Sequence, residues 1–294
     1  MGNLPEQLRA GRSAHLRAGP VRRLRDRWWR RAASALACVA LLMPAAAWSH
    51  AFWLVPFGPT AEPGQRVALD LRIGPRWPGA STPRLDGLVA SFHVADAQGS
   101  QPIDGRSGGR PFGHFRARLA GAAVVTLQTN PSTIELPGDQ FQEYLREEAL
   151  DDALKMRADL GMASQPARED FSRAAKTLVF VGGSSRGFDR DMGLPMELIP
   201  LTDPLAYRPG QPFRVKLRLG GKAAAQVRIT ALPKDEPDRI VRATTGADGE
   251  AQLTLPHAGL WTFYAVHMQP AARPPADFDS LWASLTFGVP EAPR

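Results

Sequence analysis

Apolar and polar residues alternate strictly in two separate stretches of this chain. Residues 66–73 read RVALDLRI and residues 213–219 read FRVKLRL. A period of two places successive side chains on opposite faces of a β-strand, so one face can be buried. Shorter runs predict further strands at 88–95, 122–129, 177–181, 227–231, 251–255, 261–267 and 281–289. Short strands separated by turns are typical of β-sandwiches, and we expect a mainly β protein with two immunoglobulin-like sandwich units.

A helical insert is predicted between the two β units, at about 137–176. It begins at Pro137-Gly138-Asp139, where Asp139 is expected to cap the first turn. One amphipathic helix ending at Gly161 is predicted by apolar residues that recur every three or four positions: Phe141, Leu145, Ala149, Ala153, Met156 and Leu160. We also expect a shorter helix over 167–176, a loop over 99–112 and a glycine-rich turn over 182–187.

The first 49 residues have the composition of a secretory signal peptide. A basic region ends at Arg30-Arg31, an apolar run spans 32–47, and the small residues Ala47 and Ser49 precede a cleavage position. We therefore expect export to the periplasm and a mature chain that starts at His50. The predicted organisation is a signal peptide over 1–49, a β domain with the helical insert over 50–193, and a β-sandwich domain over 194–294.

Charge and cysteine content exclude several classes of function. The chain has 36 basic and 29 acidic residues, and removing the nine arginines, Glu6 and Asp26 of residues 1–49 leaves 27 of each. A neutral net charge gives no long-range attraction for nucleic acid, and no later apolar run predicts stable membrane insertion. The single cysteine, Cys38, lies in the predicted leader, so the mature chain has no disulfide, thiolate metal site or thiol nucleophile.

His50 is the most informative residue for chemistry. Cleavage after Ser49 would give it a free α-amine beside its imidazole, and the two nitrogens can chelate one metal ion. Nitrogen-rich sites suit Cu(II) and Ni(II). The alternative is an ordinary residue near a mobile terminus.

Other histidines are candidate further ligands. His267 shares the apolar face of its predicted strand, so it needs a metal or a hydrogen-bond partner, and a core histidine bonded to a carbonyl is the alternative. His93 lies on the polar face of its strand, and His114 follows a glycine-rich loop. Either could be simply solvated. His257 resembles a turn residue and is the weakest candidate.

No catalytic residue is predicted. An acidic cluster in the insert fits the solvated face of a helix better than an acid/base pair or a calcium loop: Glu143, Glu147, Glu148, Asp151 and Asp152. A phosphate-binding loop, a nucleophile elbow and an HExxH helix are all missing from the sequence. We therefore expect a protein that is not an enzyme and whose only cofactor is a transition-metal ion.

Several segments resemble a bacterial exported family of unknown function that is grouped with the periplasmic component of nickel and cobalt uptake systems. The matching segments are HAFWL from His50, STIELP from Ser132, ELIPLTDP from Glu197, TGADG from Thr245, GLW from Gly259, AVHM from Ala265 and SLWASLTF from Ser280. The resemblance covers nearly the whole predicted mature chain. It implies an envelope protein built from β-sandwich modules that handles transition metals, with His50 and His267 matching family histidines.

Three functional hypotheses remain open at this point. The first is a periplasmic protein that binds nickel, cobalt or copper through His50 and His267 and supports metal uptake or delivery to an inner-membrane transporter. The second is a non-catalytic envelope module that binds a protein or glycan, with Trp53, Trp77, Trp261 and Trp282 as contacts. The third is a copper enzyme with an N-terminal histidine brace, which would need an open coordination position.

Overall fold

A computed structural model describes residues 50–291. The predicted signal peptide, including Cys38, lies outside the described residues. Within them the chain is mainly β. The first nine strands are β1 Phe52–Pro56, β2 Thr60–Ala61, β3 Arg66–Ile73, β4 Ala80–Thr82, β5 Val89–Asp96, β6 Gly99–Pro102, β7 Gly113–Arg116, β8 Gly121–Thr129 and β9 Ser132–Leu136. A short 3₁₀ helix, Asp86–Leu88, precedes β5.

Two helices and nine strands follow. The helices are α1 Gly138–Glu147 and α2 Asp151–Asp159. The strands are β10 Ala167–Val181, β11 Met196–Pro200, β12 Pro212–Leu219, β13 Lys222–Ala223, β14 Arg228–Pro233, β15 Val241–Thr244, β16 Glu250–Thr254, β17 Gly259–Pro270 and β18 Phe278–Val289. The strands that the sequence predicts from period-two alternation are present. The predicted loop over 99–112 is shorter than expected, because its first residues, 99–102, form β6.

A ten-stranded sheet forms the middle layer. Its order is β15-β14-β17-β18-β10-β8-β5-β6, and β2 and β9 also pair with β10. Strands β10 and β18 run parallel, with Arg173 opposite Trp282, whereas β17 and β18 are antiparallel over twelve residue pairs. The sheet is therefore continuous across residue 193. The boundary near residue 193 and the two-unit immunoglobulin-like arrangement stay predictions.

Smaller sheets and the helices cover the two faces of the middle sheet. Strands β1, β3, β4 and β7 form one four-stranded sheet, and β11, β12, β13 and β16 form another. The first of these and the two helices pack against one face, where Phe171, Arg173 and Trp282 point. The second packs against the other face through Phe213, Phe263 and Phe287. Burial of apolar surface on both faces is the main contribution to stability.

The helical region differs from prediction in two ways. The expected single helix is two helices, because Ala149 adopts φ +51° and interrupts the hydrogen-bond ladder between α1 and α2. The helix predicted over 167–176 is wrong: these residues form the first part of β10. They pair with β9 on one side and β18 on the other, and this pairing outweighs local helix preference.

The start of α1 also differs in detail. Pro137 occupies the N-cap position, and no side chain caps the helix. Asp139 lies in the first turn, where its charge is favourable to the helix dipole. The predicted start of the helix is therefore right, but the predicted capping hydrogen bond does not form.

Candidate functional site

His50 lies immediately before β1 and is half-buried. Burial lowers the pKa of its imidazole, and Arg173 lowers it further, whereas the carboxylate of Glu147 acts in the opposite direction. The imidazole is therefore neutral at pH 7, which is the form that binds metals. Glu147 ends α1, so its carboxylate and the negative end of the helix dipole act together near His50.

The donors near His50 can be compared with what a metal ion needs. Across residues 50–291, no group of three or more His, Cys, Asp or Glu side chains is arranged to hold a metal ion. The side chains there would need an added ligand, and the α-amine that cleavage before His50 would release is such a donor. Amine and imidazole together fit Cu(II) or Ni(II). The nearby positive charge of Arg173 opposes a cation, but the charge of Glu169 counters it.

A buried carboxylate lies next in sequence to Glu147. Glu148 is 9% exposed, accepts a hydrogen bond of 3.3 Å from the hydroxyl of Tyr264, and contacts Arg228 at 3.5 Å. Burial raises the pKa of Glu148 to about 7, although Arg228 and Tyr264 act to lower it. Arg228 also donates to the last carbonyl of α1, at Glu147. These contacts fix the end of α1 against β14 and β17.

A second buried carboxylate lies on β10. Glu169 accepts hydrogen bonds from Ser280 and from the hydroxyl of Tyr144, the latter at 3.1 Å. Burial raises the pKa of Glu169, and the neighbouring Arg173 acts to lower it. Burial also lowers the pKa of Arg173 to about 10. The sheet therefore holds a guanidinium and a carboxylate four residues apart on one strand, both on the face that the helices cover.

Aromatic rings enclose this polar cluster. The ring of Trp282 stacks with Tyr144, at 6.2 Å between centroids and 10° between planes, and with Tyr264, at 6.3 Å and 19°. The guanidinium of Arg173 lies 4.3 Å from the ring centroid of Phe171 and 5.8 Å from that of Trp282. Such contacts hold a buried cation in place. Arg173, whose charge acts on His50, is therefore part of a packed, hydrogen-bonded cluster.

His267 and His50 are positioned by different elements, since His267 lies on β17 and His50 lies just before β1. His267 follows Trp261, Phe263 and Ala265 on one face of β17, and those residues pack against the sheet that contains β12. Arg173, which acts on His50, lies on the opposite face of the middle sheet. Burial lowers the pKa of His267, and Asp152 acts to raise it. His267 lines a cavity of about 420 Å³ that also contains Asp170 and Asp279.

The remaining candidate histidines lie elsewhere. His93 is on β5, opposite Thr126, on the face away from Phe92 and Val94. His114 is on β7, and its Nε2 lies 2.5 Å from a terminal nitrogen of Arg66. His257 contacts the carbonyl of Ala258, and its ring lies 4.9 Å from that of Trp261 at a tilt of 32°, in agreement with a turn role.

Sequence reasoning misses the buried charges of this site. The sequence pattern groups Glu148 with the solvated face of a single helix, but this residue follows the end of α1 and points toward the sheet. The same reasoning places Glu169 and Arg173 in a helix that does not form. A strand could have been recognised here from an alternation with more polar neighbours, shown by Ala167, Glu169, Phe171 and Arg173. Charged residues on both faces of the strand obscure this alternation.

The four tryptophans predicted as protein or glycan contacts are core residues. Their exposed fractions are 0% for Trp53, 6% for Trp77, 0% for Trp261 and 4% for Trp282. Side chains this buried cannot form a contact surface in the folded protein. The contact role predicted for them is therefore wrong.

Comparison with known proteins gives one matching family model. A family model described as a domain of unknown function (DUF4198) matches residues 47–269. No curated protein matches the chain. Among solved structures, the "D0-D1 domain of Intimin" is similar at 13% sequence identity and a TM-score of 0.21, covering 80% of this chain and 97% of that chain. Neither helix within residues 50–291 is long and apolar enough to cross a membrane.

Proposed function

Because this chain belongs to the DUF4198 family of unknown function, we propose its function from its own residues: an exported, periplasmic protein that binds a transition-metal ion at His50. In this proposal the metal is nickel, cobalt or copper, and the protein supports its uptake or its delivery to an inner-membrane transporter. The resemblance of the sequence to proteins grouped with nickel and cobalt uptake supports this choice of metals.

One observation carries the proposal. His50 is half-buried, its burial lowers the pKa of the imidazole and so favours the neutral form, and the charges of Glu147 and of Arg173 in the buried polar cluster both act on it. A terminal histidine in such a place loses little entropy when its amine and imidazole close a chelate ring. We assign the two metal-binding nitrogens to His50 and an electrostatic role to Glu147.

In this proposal metal binding requires the free α-amine of His50, and this requirement can be tested directly. Protein exported to the periplasm with its native terminus is compared with protein made in the cytoplasm with a methionine before His50. Intact mass gives the terminus, and metal analysis after exposure to each ion gives the stoichiometry. One equivalent of metal on a chain that starts at His50, lost from the methionine-blocked protein, is the expected result.

Two controls separate the possible failures. His50→Gln in the exported protein should also lose the metal, whereas His93→Gln should keep it. Equal and negligible metal in the native and blocked proteins would end the metal-binding proposal. A mature terminus at a different residue would end the assignment of the amine to His50.

A further inference from the structure

The outer face of the small sheet that contains β3 and β7 has an unusual charge pattern. Arg66 on β3 lies directly opposite Arg116 on β7, and both side chains are exposed. Like charges directly opposite each other on antiparallel strands are destabilising. His114 lies two residues before Arg116, so it shares the same face. A cross-strand pair of arginines therefore persists here without a favourable contact between them.

A glycine-rich loop adds two further arginines to this face. Arg106 and Arg110 line a cavity of about 470 Å³ together with Arg66 and His114, and the remaining lining residues are uncharged: Gly105, Ser107, Gly108, Gly109 and Pro111. An adjoining cavity of about 420 Å³ is lined by Arg66, Arg116, His114 and one carboxylate, Asp104. We call Arg66, Arg106, Arg110, Arg116 and His114 the arginine face.

None of the four arginines forms an ion pair with another residue of the described chain. Arg110 donates to the carbonyl of Ser81, and Arg116 donates to the carbonyl of Gly64. Arg66 contacts Nε2 of His114, and because a guanidinium can only donate, that nitrogen is the acceptor. Elsewhere on the surface, arginines do pair with acids, as Arg76 does with Asp238 and Arg214 with Glu250.

The balanced total charge of the chain after residue 49 does not reveal this local excess of positive charge. Equal numbers of basic and acidic residues after residue 49 exclude a strong overall field, but they do not exclude one concentrated patch. Four guanidinium groups around adjoining cavities present many N–H donors in planar forks, which match the oxygens of phosphate. A single carboxylate would neutralise only one of the four charges. A phosphate monoester carries about −1.5 to −2 at pH 7 and presents three acceptor oxygens.

We propose that the arginine face binds a phosphate-bearing ligand, which neutralises the opposed pair Arg66 and Arg116 and is enclosed by the loop that carries Arg106 and Arg110. The phosphate group comes either from a soluble compound or from a lipid headgroup at a membrane surface. This site is separate from His50 and does not depend on a bound metal.

The test measures binding of two probes at low ionic strength. Inorganic pyrophosphate, followed by calorimetry, represents a soluble phosphate, and vesicles of phosphatidylglycerol, compared with phosphatidylcholine vesicles, represent a headgroup surface. The variant Arg66→Gln/Arg116→Gln removes the opposed pair. Arg208→Gln/Arg273→Gln removes the same charge from exposed positions outside the face and serves as the matched control.

The expected result is binding that is about tenfold or more weaker in Arg66→Gln/Arg116→Gln and little changed in the control, because a charge-assisted hydrogen bond is lost from each position. Urea unfolding should show that Arg66→Gln/Arg116→Gln is at least as stable as the parent, since a like-charge pair is removed. Arg106→Gln/Arg110→Gln should weaken binding too.

The two probes distinguish the source of the phosphate. Binding of pyrophosphate supports a soluble ligand, and binding of phosphatidylglycerol vesicles alone supports a headgroup. Equal losses in the arginine-face and control variants would overturn the proposal, because they would reflect net charge only. Failure of the parent protein to bind either probe would overturn it as well.

Discussion

The hydroxyl of Tyr264 on β17 donates a 3.3 Å hydrogen bond to the carboxylate of Glu148, 116 residues away in sequence. The same carboxylate contacts Arg228, so one buried acid joins the end of α1 to two strands of the middle sheet. A carboxylate that is 9% exposed is expensive to ionise unless it is fully paired.

The raised pKa of Glu148 predicts a pH-dependent stability. Its folded pKa of about 7 exceeds the ordinary value of 4.5, so the folded state binds the proton more tightly than the unfolded state. This contribution is fully present below pH 4.5 and is lost as the pH rises through about 7. A shift of this size corresponds to a loss on the order of 3 kcal/mol.

The measurement is urea unfolding of the metal-free parent and of Glu148→Gln between pH 4 and pH 8 (roughly the window set by the two pKa values). As the pH rises, the free energy of unfolding of Glu148→Gln should increase relative to that of the parent, because only the parent has a carboxyl group at this position to ionise. A difference that stays constant with pH would show that Glu148 ionises normally in the folded protein.

The buried ion pair between Lys176 and Glu197 predicts a large mutational effect. Their charged atoms are 2.6 Å apart, both side chains are 1% exposed, and Glu197 also accepts from the backbone N–H of Met192 and Leu194. Lys176→Met leaves Glu197 buried without its partner, so it should destabilise the protein by about 3–5 kcal/mol. Adding Glu197→Gln to Lys176→Met should recover part of this loss in urea unfolding. An additive loss in the double variant would argue against direct coupling.

The positions of the histidines predict which one matters for metal. His267 lies on the face of the middle sheet opposite Arg173, so His267→Gln should leave the metal stoichiometry of the exported protein unchanged. His50→Gln should abolish it. Loss of metal in both variants, with unchanged far-ultraviolet circular dichroism, would place both histidines in one site and overturn this prediction.

Close packing predicts a specific effect at Gly113. A Cβ atom added there would lie 2.5 Å from a ring carbon of Phe92 and 3.0 Å from a methyl carbon of Ile103. Gly113→Ala should therefore destabilise the protein by about 1–3 kcal/mol, since the buried neighbours must shift. A Cβ atom added at Gly87 would meet no atom within 4 Å, and this glycine has no positive φ, so Gly87→Ala is the matched control and should be nearly neutral. Equal stability of both variants would contradict this packing.

Strands such as those at residues 66–73 and 213–219 are predictable, because the alternation of apolar and polar residues within a strand involves only near neighbours in sequence. The helix predicted over 167–176 fails because Glu169 and Arg173 look like surface residues when considered locally. Their partners, Ser280, Tyr144 and Trp282, lie on other elements. No local pattern carries information about those contacts.

By itself, the sequence determined which segments form strands with an apolar face, where α1 begins, and that the chain after residue 49 has no cysteine. The tertiary structure decided that strands from both halves join one sheet, that Glu148 is buried, that Arg173 and His267 lie on different faces of that sheet, and that Arg66 lies opposite Arg116. Periodicity is set by adjacent residues. Strand pairing and charge burial instead depend on contacts between distant segments, which only the folded chain brings together.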